Sequence, residues 1–325
     1  IVAPLQDFAF ADWKKLLAVH LDGAFLTARA AMRQMIASGR GGSMMVYPHF
    51  AQTSTIFPSA DLDLMGAQPG YQGERNAGCS NFFSWIPDSA RIHGKVSMIE
   101  ADFRTWTSPV NSLLHDYLVA RFWNHEELQG AMLRDFGRQL SVGGGLWFYD
   151  MTAGWFKDPL IMGDVAKMSE IGKKLYERTN VFTPAEIVFV ADEDNYYITT
   201  EQLGVWNGPN YHAVRKNQRA MLKSGLRYDF YYFRDLVDRN MDGYKVYVFL
   251  NAFHLTPEKR EFIDRKLKKD GRTIVWVYAP GYVTDTGLST EAMSKLTGIR
   301  IAEAGSPLKD SVYTESPLGR NVAGK

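Results

Sequence analysis

Two short apolar runs in this chain each lead into carboxylates and aromatic rings, the side chains with which proteins bind and cleave sugars. The first run, residues 96–99, is followed by Glu100, Asp102, Arg104 and Trp106. The second run contains Trp147 and is followed by Tyr149 and Asp150. Aromatic rings can stack on the apolar face of a sugar, and carboxylates can bind its hydroxyl groups or act as nucleophile, acid and base. These residues therefore predict a carbohydrate site, the alternative being that the tryptophans belong to the core.

Both runs have the length and composition of buried strands, and a helical stretch separates them. A succession of strand, helix and strand is typical of a parallel sheet. A (β/α)₈ barrel carries its chemistry at the carboxyl ends of its strands, which is where these polar residues fall. The pattern predicts two neighbouring barrel strands, although ordinary strands that run into polar loops would give the same pattern.

The composition is that of an ordinary globular protein. The chain has 325 residues, a formal net charge of +1 and 46% hydrophobic residues, which is enough for two modest domains. The charge gives no electrostatic reason to expect nucleic acid or an anionic membrane as a partner. Because Cys79 is the single cysteine, an internal disulfide and a cysteine-based zinc site are excluded. No signal peptide and no apolar run of the roughly 20 residues that span a bilayer is visible, so we expect a cytoplasmic protein without cofactor or metal.

Residues 1–47 predict a helix followed by a short strand. Apolar residues recur at helical spacing up to Met32, the glycines around Gly41 end the helix, and residues 43–47 favour a strand. The segment resembles part of a short-chain dehydrogenase in three places, namely Asp12-Trp13, the run 19–25 and the run 39–43. In that family such a helix and strand belong to a Rossmann sheet.

The chemistry of that family is missing from the chain. There is no Gly-x-x-x-Gly-x-Gly loop to hold a pyrophosphate and no Tyr-x-x-x-Lys pair. His20 replaces the family's usual asparagine, and Pro48 stands where a serine is expected. We therefore expect a related scaffold that neither binds a nicotinamide cofactor nor transfers hydride.

Residues 48–90 are rich in Pro, Gly, Ser, Asn and Gln and predict a long irregular segment. Such segments are either functional loops or disordered ones, and the sequence leaves both possibilities open.

From about residue 66 to 305 the chain resembles bacterial glycoside hydrolases of the β-galactosidase type, in particular family 42. The matching segments are residues 71–76, 89–100, 104–105, 145–151, 249–253 and 276–281. The resemblance implies a (β/α)₈ barrel followed by an α/β domain that mediates trimer formation. It also implies that residues 96–100 are barrel strand seven, that residues 146–150 are strand eight, and that Glu100 is the catalytic nucleophile.

The same resemblance implies a set of residues that bind substrate: Glu74, Arg75, Asp102, Arg104, Trp106, Trp147, Tyr149 and Asp150. It implies that Arg104 keeps Glu100 ionised. It also exposes a gap, because the family's acid/base glutamate follows barrel strand four, and the first six or so strands have no counterpart in this sequence. A retaining enzyme needs a second carboxyl group, which Glu74 or another subunit could supply.

Residues 181–305 predict a second α/β unit with buried strands near 186–190, 244–250 and 272–278. Thr256 and Pro257 are strong signals for the start of a helix. The alternation resembles flavodoxin-like and amidotransferase-like sheets, but Asn251 stands where an amidotransferase has its cysteine. We therefore expect a structural or oligomer-forming domain in which residues 192–194 are a solvated strand end. Residues 306–325 are expected to be a tail.

Taken together, the sequence predicts an α/β protein with a partial (β/α) barrel over residues 48–180 and an oligomerisation-type domain after it. The expected function is hydrolysis of β-glycosides by carboxylates, reduced if the first barrel strands are missing. One alternative is a non-catalytic oligomer or sugar-binding remnant of a two-gene chimera. Another is hydrolysis of a different bond, such as an ester. The expected partners are a carbohydrate and further copies of the chain, as a trimer or another homo-oligomer.

Overall fold

The computed structural model describes residues 5–39, 45–46, 53–70, 75–80, 85–109, 121–150, 154–176, 185–199 and 208–303. Two parallel sheets of four strands each dominate this part of the chain, together with a small antiparallel pair of strands. The predicted α/β fold class is confirmed. No helix within the described ranges is both long enough and apolar enough to cross a membrane.

The chain begins with two consecutive helices, α1 (Phe10–Leu17) and α2 (Gly23–Ser38), joined by a π-type turn over Ala18–Asp22. The helix prediction for this segment is confirmed, and Gly39 ends α2 with a left-handed φ of 66°. Neither helix contains a buried residue. Large apolar side chains such as Phe25 and Ile36 are therefore exposed to solvent.

The first sheet consists of parallel strands that are neighbours in both sequence and space. Its members, in order, are β1 (Met45–Val46), β2 (Leu64–Ala67), β3 (Val96–Ala101) and β4 (Gly145–Phe148). The helices along this part are α3 (Thr53–Ile56), α4 (Pro87–Ile92), α5 (His125–Ser141) and α6 (Pro159–Tyr176). Sequential parallel pairing is the arrangement of strands in a (β/α) barrel.

The expectation of an irregular segment over 48–90 was wrong for β2. This strand is four residues long and almost entirely buried. A short apolar run without alternation carries no periodic signal, and the polar residues around it conceal it.

Helices α5 and α6 cover one face of β3 and β4. Ala101 and Phe103 belong to the cluster that also contains Leu128 and Met132 of α5, and Phe148 packs against it. Successive side chains of a strand point to opposite faces. The residues between these core positions therefore lie on the face that α5 and α6 leave free.

The second sheet has the strand order β6-β5-β7-β8. Its strands are β5 (Ile187–Ala191), β6 (Asp229–Tyr232), β7 (Val246–Phe249) and β8 (Thr273–Trp276). The helices are α7 (Asn195–Ile198), α8 (Asn217–Lys223), α9 (Phe233–Asp238), α10 (Pro257–Phe262) and α11 (Thr290–Thr297), and the antiparallel pair is β9 (Val283–Thr284) with β10 (Gly287–Leu288). The helix start at Thr256 is confirmed, because its hydroxyl accepts a hydrogen bond from the Lys259 N–H at 3.3 Å.

The two sheets share one apolar core and a set of polar contacts. One cluster of buried residues combines Met65 and Trp85 from the first part with Val214 and Leu250 from the second. Helix α4 lies along β6, the edge strand of the second sheet, with which it makes direct contact. An edge strand presents unpaired backbone groups, so covering it stabilises the fold and prevents pairing with other chains.

The end of β5 differs from the solvated strand end that was expected. Asp192 and Glu193 are only 4% and 5% exposed. The ammonium group of Lys259 lies 2.7 Å and 2.8 Å from the two carboxylate oxygens of Asp192. The backbone N–H of Ser54, in the first part of the chain, donates to Glu193 at 3.1 Å. The solvated interpretation was wrong for Asp192 and Glu193, because their partners lie far away in sequence, and it is confirmed for Asp194, whose side chain is 63% exposed.

Candidate functional site

Glu100 lies at the carboxyl end of β3, on the face that α5 and α6 leave free. Its Cα pairs with that of Trp147 in β4, and Gln68 follows directly after β2 on the other side. The carboxylate is 8% exposed, and its Oε1 accepts a hydrogen bond from Gln68 Nε2 at 3.3 Å. A carboxylate, an amide donor and an indole thus stand side by side across three strands.

The aromatic residues of β4 and of the loop after it flank this row. Trp147 is half-buried and lies between Leu146 and Phe148, whose side chains pack on the opposite face. The backbone N–H of Tyr149 donates to the carbonyl of Ala101 at 3.2 Å, which extends the pairing of the two strands by one residue. The ring of Tyr149 meets the indole of Trp155 edge to face, with centroids 6.4 Å apart.

Asp102 and Arg75 form a buried clamp over the turn after β3. Arg75 Nη1 lies 3.0 Å from Asp102 Oδ2 and donates to the carbonyl of Asp102 at 2.6 Å. Arg75 Nε donates to the carbonyl of Gly70 at 2.8 Å. The predicted substrate residues Arg75 and Asp102 are therefore engaged with each other and with the main chain, and their observed contacts are structural.

Arg104 is placed differently from the expectation that it pairs with Glu100. Its guanidinium lies over the indole of Trp155, 4.6 Å from the ring centroid. In the described part of the chain it forms no ion pair with Glu100. The structure brings Arg104 to the carboxyl end of the first sheet and holds it there by stacking.

Trp106 and Asp150 hold loops in place. Trp106 Nε1 donates to Asp158 Oδ2 at 3.1 Å, and Asp158 Oδ1 accepts from the backbone N–H of Leu160 at the start of α6 at 2.8 Å. Burial opposes the lowering of the Asp158 pKa, but the hydrogen bonds led by that of the Leu160 N–H outweigh it, so the pKa lies below its ordinary value. Asp150 Oδ2 accepts from the backbone N–H groups of residues 154 and 155 at 2.7 and 3.0 Å.

A retaining glycosidase requires two carboxyl groups, and no partner for Glu100 is identified among the described residues. Asp102 is bound to Arg75, and Asp150 is engaged in its own loop. Glu74 lies outside the described residues. Of the predicted acidic residues that the structure places, Glu100 alone is buried at this edge without an ion-pair partner in the described ranges.

Neither a metal centre nor a pair of hydroxyl and imidazole groups is found within the described ranges. No group of three or more His, Cys, Asp and Glu side chains within these ranges could hold a metal ion. His93, His125 and His254 each contact an aspartate, at 2.6, 2.6 and 3.2 Å. No Ser or Thr hydroxyl in the described segments hydrogen-bonds to any of these three imidazoles, so no serine-esterase triad is formed within these segments.

One member of the site, Gln68, was missed from the sequence, and a second, Trp155, was recognised as an aromatic residue after the second apolar run but was not among the residues expected to bind substrate. Gln68 follows a strand that was not predicted, so nothing connected it with Glu100. Trp155 is 1% exposed and touches both Arg104 and Tyr149. Its place in the sequence, five residues after Asp150, was the one available signal that it lies near the end of β4.

Comparison with known proteins found similar proteins of two kinds. No family model matches the chain. An uncharacterized oxidoreductase of Escherichia coli strain K12, YohF, is 46% identical over 43 residues, which are 13% of this chain and 17% of that protein. The chain therefore spans only about a sixth of this curated relative.

Solved structures that are similar to this chain include several β-galactosidases. A GH42 β-galactosidase from G. stearothermophilus has a TM-score of 0.47 at 13% identity, with 78% of this chain and 42% of that one covered. The β-galactosidase of the psychrophilic Marinomonas ef1 has a TM-score of 0.44 at 10% identity, with coverages of 76% and 46%. This chain thus spans less than half of either protein. The chain is similar to β-galactosidases over most of its length and to an oxidoreductase over a short segment.

Proposed function

We propose that the protein binds carbohydrate at the carboxyl end of its first sheet and cleaves glycosidic bonds with Glu100 as nucleophile. The observation that carries the proposal is the row formed by Gln68, Glu100 and Trp147. In this proposal the indole stacks on a sugar ring, and the adjacent carboxylate attacks the anomeric carbon.

The site contains a candidate nucleophile, Glu100, but no general acid is identified among the described residues. This difference predicts which substrates react. Attack by Glu100 forms a bond to the anomeric carbon and expels the leaving group with the electrons of the glycosidic bond. A leaving group that is stable as an anion needs no proton, whereas a sugar or alkyl leaving group needs a general acid. We therefore expect activity on dinitrophenyl glycosides to exceed activity on alkyl glycosides by a large factor.

A covalent trap tests this proposal directly. Incubation with 2,4-dinitrophenyl 2-deoxy-2-fluoro-β-galactoside should attach one fluorosugar to the chain, because fluorine slows hydrolysis of the glycosyl-enzyme. Mass spectrometry of the digested protein should place the label on Glu100. Label on another carboxylate, or undiminished labelling of Glu100→Gln, would refute the assignment.

The second candidate is a sugar-binding protein without turnover. It is favoured by the Arg75–Asp102 ion pair, which uses the carboxylate closest in sequence to Glu100 for a structural purpose. This candidate predicts saturable binding of galactosides together with the absence of both label and dinitrophenolate release.

We also propose that the chain forms a homo-oligomer. The proposal is supported by the exposed apolar side chains on α1, on α2 and on the turn between them, among them Trp13, Leu21, Phe25 and Ile36. Helices with such surfaces need a partner, because exposed apolar area of this kind favours association.

A further inference from the structure

The two helices that open the chain form an arm that the rest of its fold leaves uncovered. We call α1, α2 and the π-type turn between them the N-terminal arm, and none of its residues is buried. Its exposed large apolar side chains are 45–78% accessible, namely Phe10, Trp13, Val19, Leu21, Phe25, Leu26, Met32 and Ile36. Together they present on the order of 1,000 Å² of apolar surface, and a stable interface buries about 800 Å² on each partner. The arm therefore carries enough apolar surface for one side of a stable interface.

One side of α2 has the spacing with which helices enter apolar grooves. Phe25, Met32 and Ile36 stand at positions i, i+7 and i+11, which share one side of a helix. Because a helix rises 1.5 Å per residue, this stripe is about 16 Å long. A stripe of this kind is the recognition pattern of an amphipathic helix that binds in a groove.

A groove of matching character lies between α5, β4 and α6. Its volume is about 500 Å³. Apolar side chains form most of its lining, among them Phe136 and Leu140 of α5, Leu146 and Phe148 of β4, and Met168 and Leu175 of α6. On α6 the lining spans residues 165–175, which is about 15 Å of helix. The groove and the stripe on α2 therefore agree in polarity and in length.

The groove borders the open edge of the first sheet. Within the described ranges β4 is the last strand of this sheet, with β3 on one side and no strand on the other. Leu146 and Phe148 pack against the apolar core of this part of the chain but are only half-buried. Native proteins protect such edges by covering them with a helix or a loop. A helix in the groove would lie beside this edge and bury both side chains.

We propose that the N-terminal arm of one chain lies in the groove of a second copy, which returns the contact, so that the protein is a dimer that exchanges its arms. The inference rests on the proposed homo-oligomer and deepens it by naming the two surfaces that meet. A one-way contact that does not close would continue into an open filament of subunits, whereas two mutual contacts close the assembly. One pair of copies thereby covers both surfaces of each chain.

Filling the groove from within its own chain tests this contact. Gly172 lines the groove, and a Cβ at this position meets no atom within 4 Å, so the side chain of Gly172→Trp has room to extend into the groove. Gly163→Trp is the matched control, because Gly163 is an exposed glycine of the same helix with equally open surroundings and does not line the groove. We expect Gly172→Trp to weaken dimerisation by about 100-fold or more in sedimentation equilibrium, since both arms lose their site. Gly163→Trp should dimerise like wild type.

A mixture of two defective variants identifies the arm and the groove as partners. Phe25→Glu damages the arm and leaves the groove intact, whereas Gly172→Trp does the reverse. A pair with one chain of each kind keeps one intact contact, that of the undamaged arm in the undamaged groove. An equimolar mixture should therefore dimerise more tightly than either variant alone and less tightly than wild type. Native mass spectrometry resolves the mixed pair, because the two variants differ in mass.

Each outcome decides the inference. If Gly172→Trp dimerises like wild type, the groove is not the site of the arm, and dissociation by Phe25→Glu alone would then keep the proposed oligomer without this contact. A mixture that associates no more tightly than its components would also overturn the inference. A monomeric wild type would refute both the oligomer and the exchange of arms. Circular dichroism of each variant shows that its helices are retained, and the labelling of Glu100 tests hydrolysis separately.

Discussion

The backbone N–H of Phe230, in the edge strand of the second sheet, donates a hydrogen bond to the side chain of Asp88 in α4 at 3.0 Å, across 142 residues of sequence. Burial raises the pKa of Asp88 above its ordinary value, although the Phe230 N–H and Arg91 act in the opposite direction. One ionisable side chain thus links the two sheets and makes their junction sensitive to pH.

The raised pKa of Asp88 predicts the sign of a pH effect. Its contribution to stability is fully present below the unfolded value of about 3.8 and is lost as pH rises through the higher folded value. Asp88→Asn keeps an acceptor for the Phe230 N–H but cannot ionise. We expect the free energy of unfolding of wild type, relative to this variant, to fall between pH 3 and pH 7. Urea unfolding at several pH values measures the difference, and a difference that rises with pH would contradict the prediction.

Ser89→Ala should destabilise the same junction. The hydroxyl of Ser89 accepts from the backbone N–H of Tyr232 at 2.9 Å, and Tyr232 is completely buried. The substitution leaves that N–H without its partner, at a cost of about 1–3 kcal/mol in the free energy of unfolding. Ser141→Ala, which removes an exposed hydroxyl that bonds within its own helix, is the control and should change stability by less than about 0.5 kcal/mol.

Arg75→Met should be more severe, because it leaves the buried carboxylate of Asp102 without its cation. Breaking a buried ion pair from one side costs about 3–5 kcal/mol. The double variant Arg75→Met/Asp102→Leu removes both charges, so it should be more stable than the single variant. Chemical unfolding of both proteins gives the coupling, and a double variant at least as unstable as Arg75→Met would show that the pair is not what holds the turn.

Glu100→Gln should reduce turnover of dinitrophenyl β-glycosides by several orders of magnitude, because the amide keeps the shape of the side chain but cannot attack the anomeric carbon. Circular dichroism should show an unchanged fold. Asp150→Asn is the comparison, since Asp150 holds its own loop through the backbone of residues 154 and 155. Equal losses in the two variants would remove the special role assigned to Glu100.

Charged substitutions on α2 should dissociate the proposed oligomer. Phe25→Glu and Ile36→Glu place carboxylates on side chains that are 62% and 78% exposed, so they should leave the fold of each chain intact. Sedimentation velocity at micromolar concentration should show a lower mass than for wild type. Arg33→Glu changes the charge at an exposed position of the same helix and leaves its apolar side chains in place, so it should have a smaller effect. A monomeric wild type would exclude the proposal.

The sequence was informative where the signal was local. The strand ending at Phe249 and the helix start at Thr256 carry a strong apolar run and a capping pair, and both lie where they were predicted. Glu100 and Trp147 lie side by side, as expected for residues at the ends of two successive strands in a parallel sheet.

Features that depend on distant partners were not predictable from one sequence. The burial of Glu193 depends on Ser54, which is 139 residues away, and that of Asp192 depends on Lys259, which is 67 residues away. Burial lowers the pKa of Lys259, but the Asp192 carboxylate more than offsets this, so the pKa of the ammonium lies above its ordinary value. When only the neighbouring sequence is considered, these acidic residues resemble a solvated strand end.

The covering of β6 by α4 has a consequence for the order of events during folding. Helix α4 is synthesised well before β6, so it must remain available until the second sheet forms and presents the N–H groups of Phe230 and Tyr232. Contacts of such long sequence separation form late and slow the overall reaction. Until they form, both the polar face of α4 and the edge of β6 stay open to other chains. Docking of α4 on β6 is therefore a step before which an incompletely folded chain exposes groups that can pair with other chains.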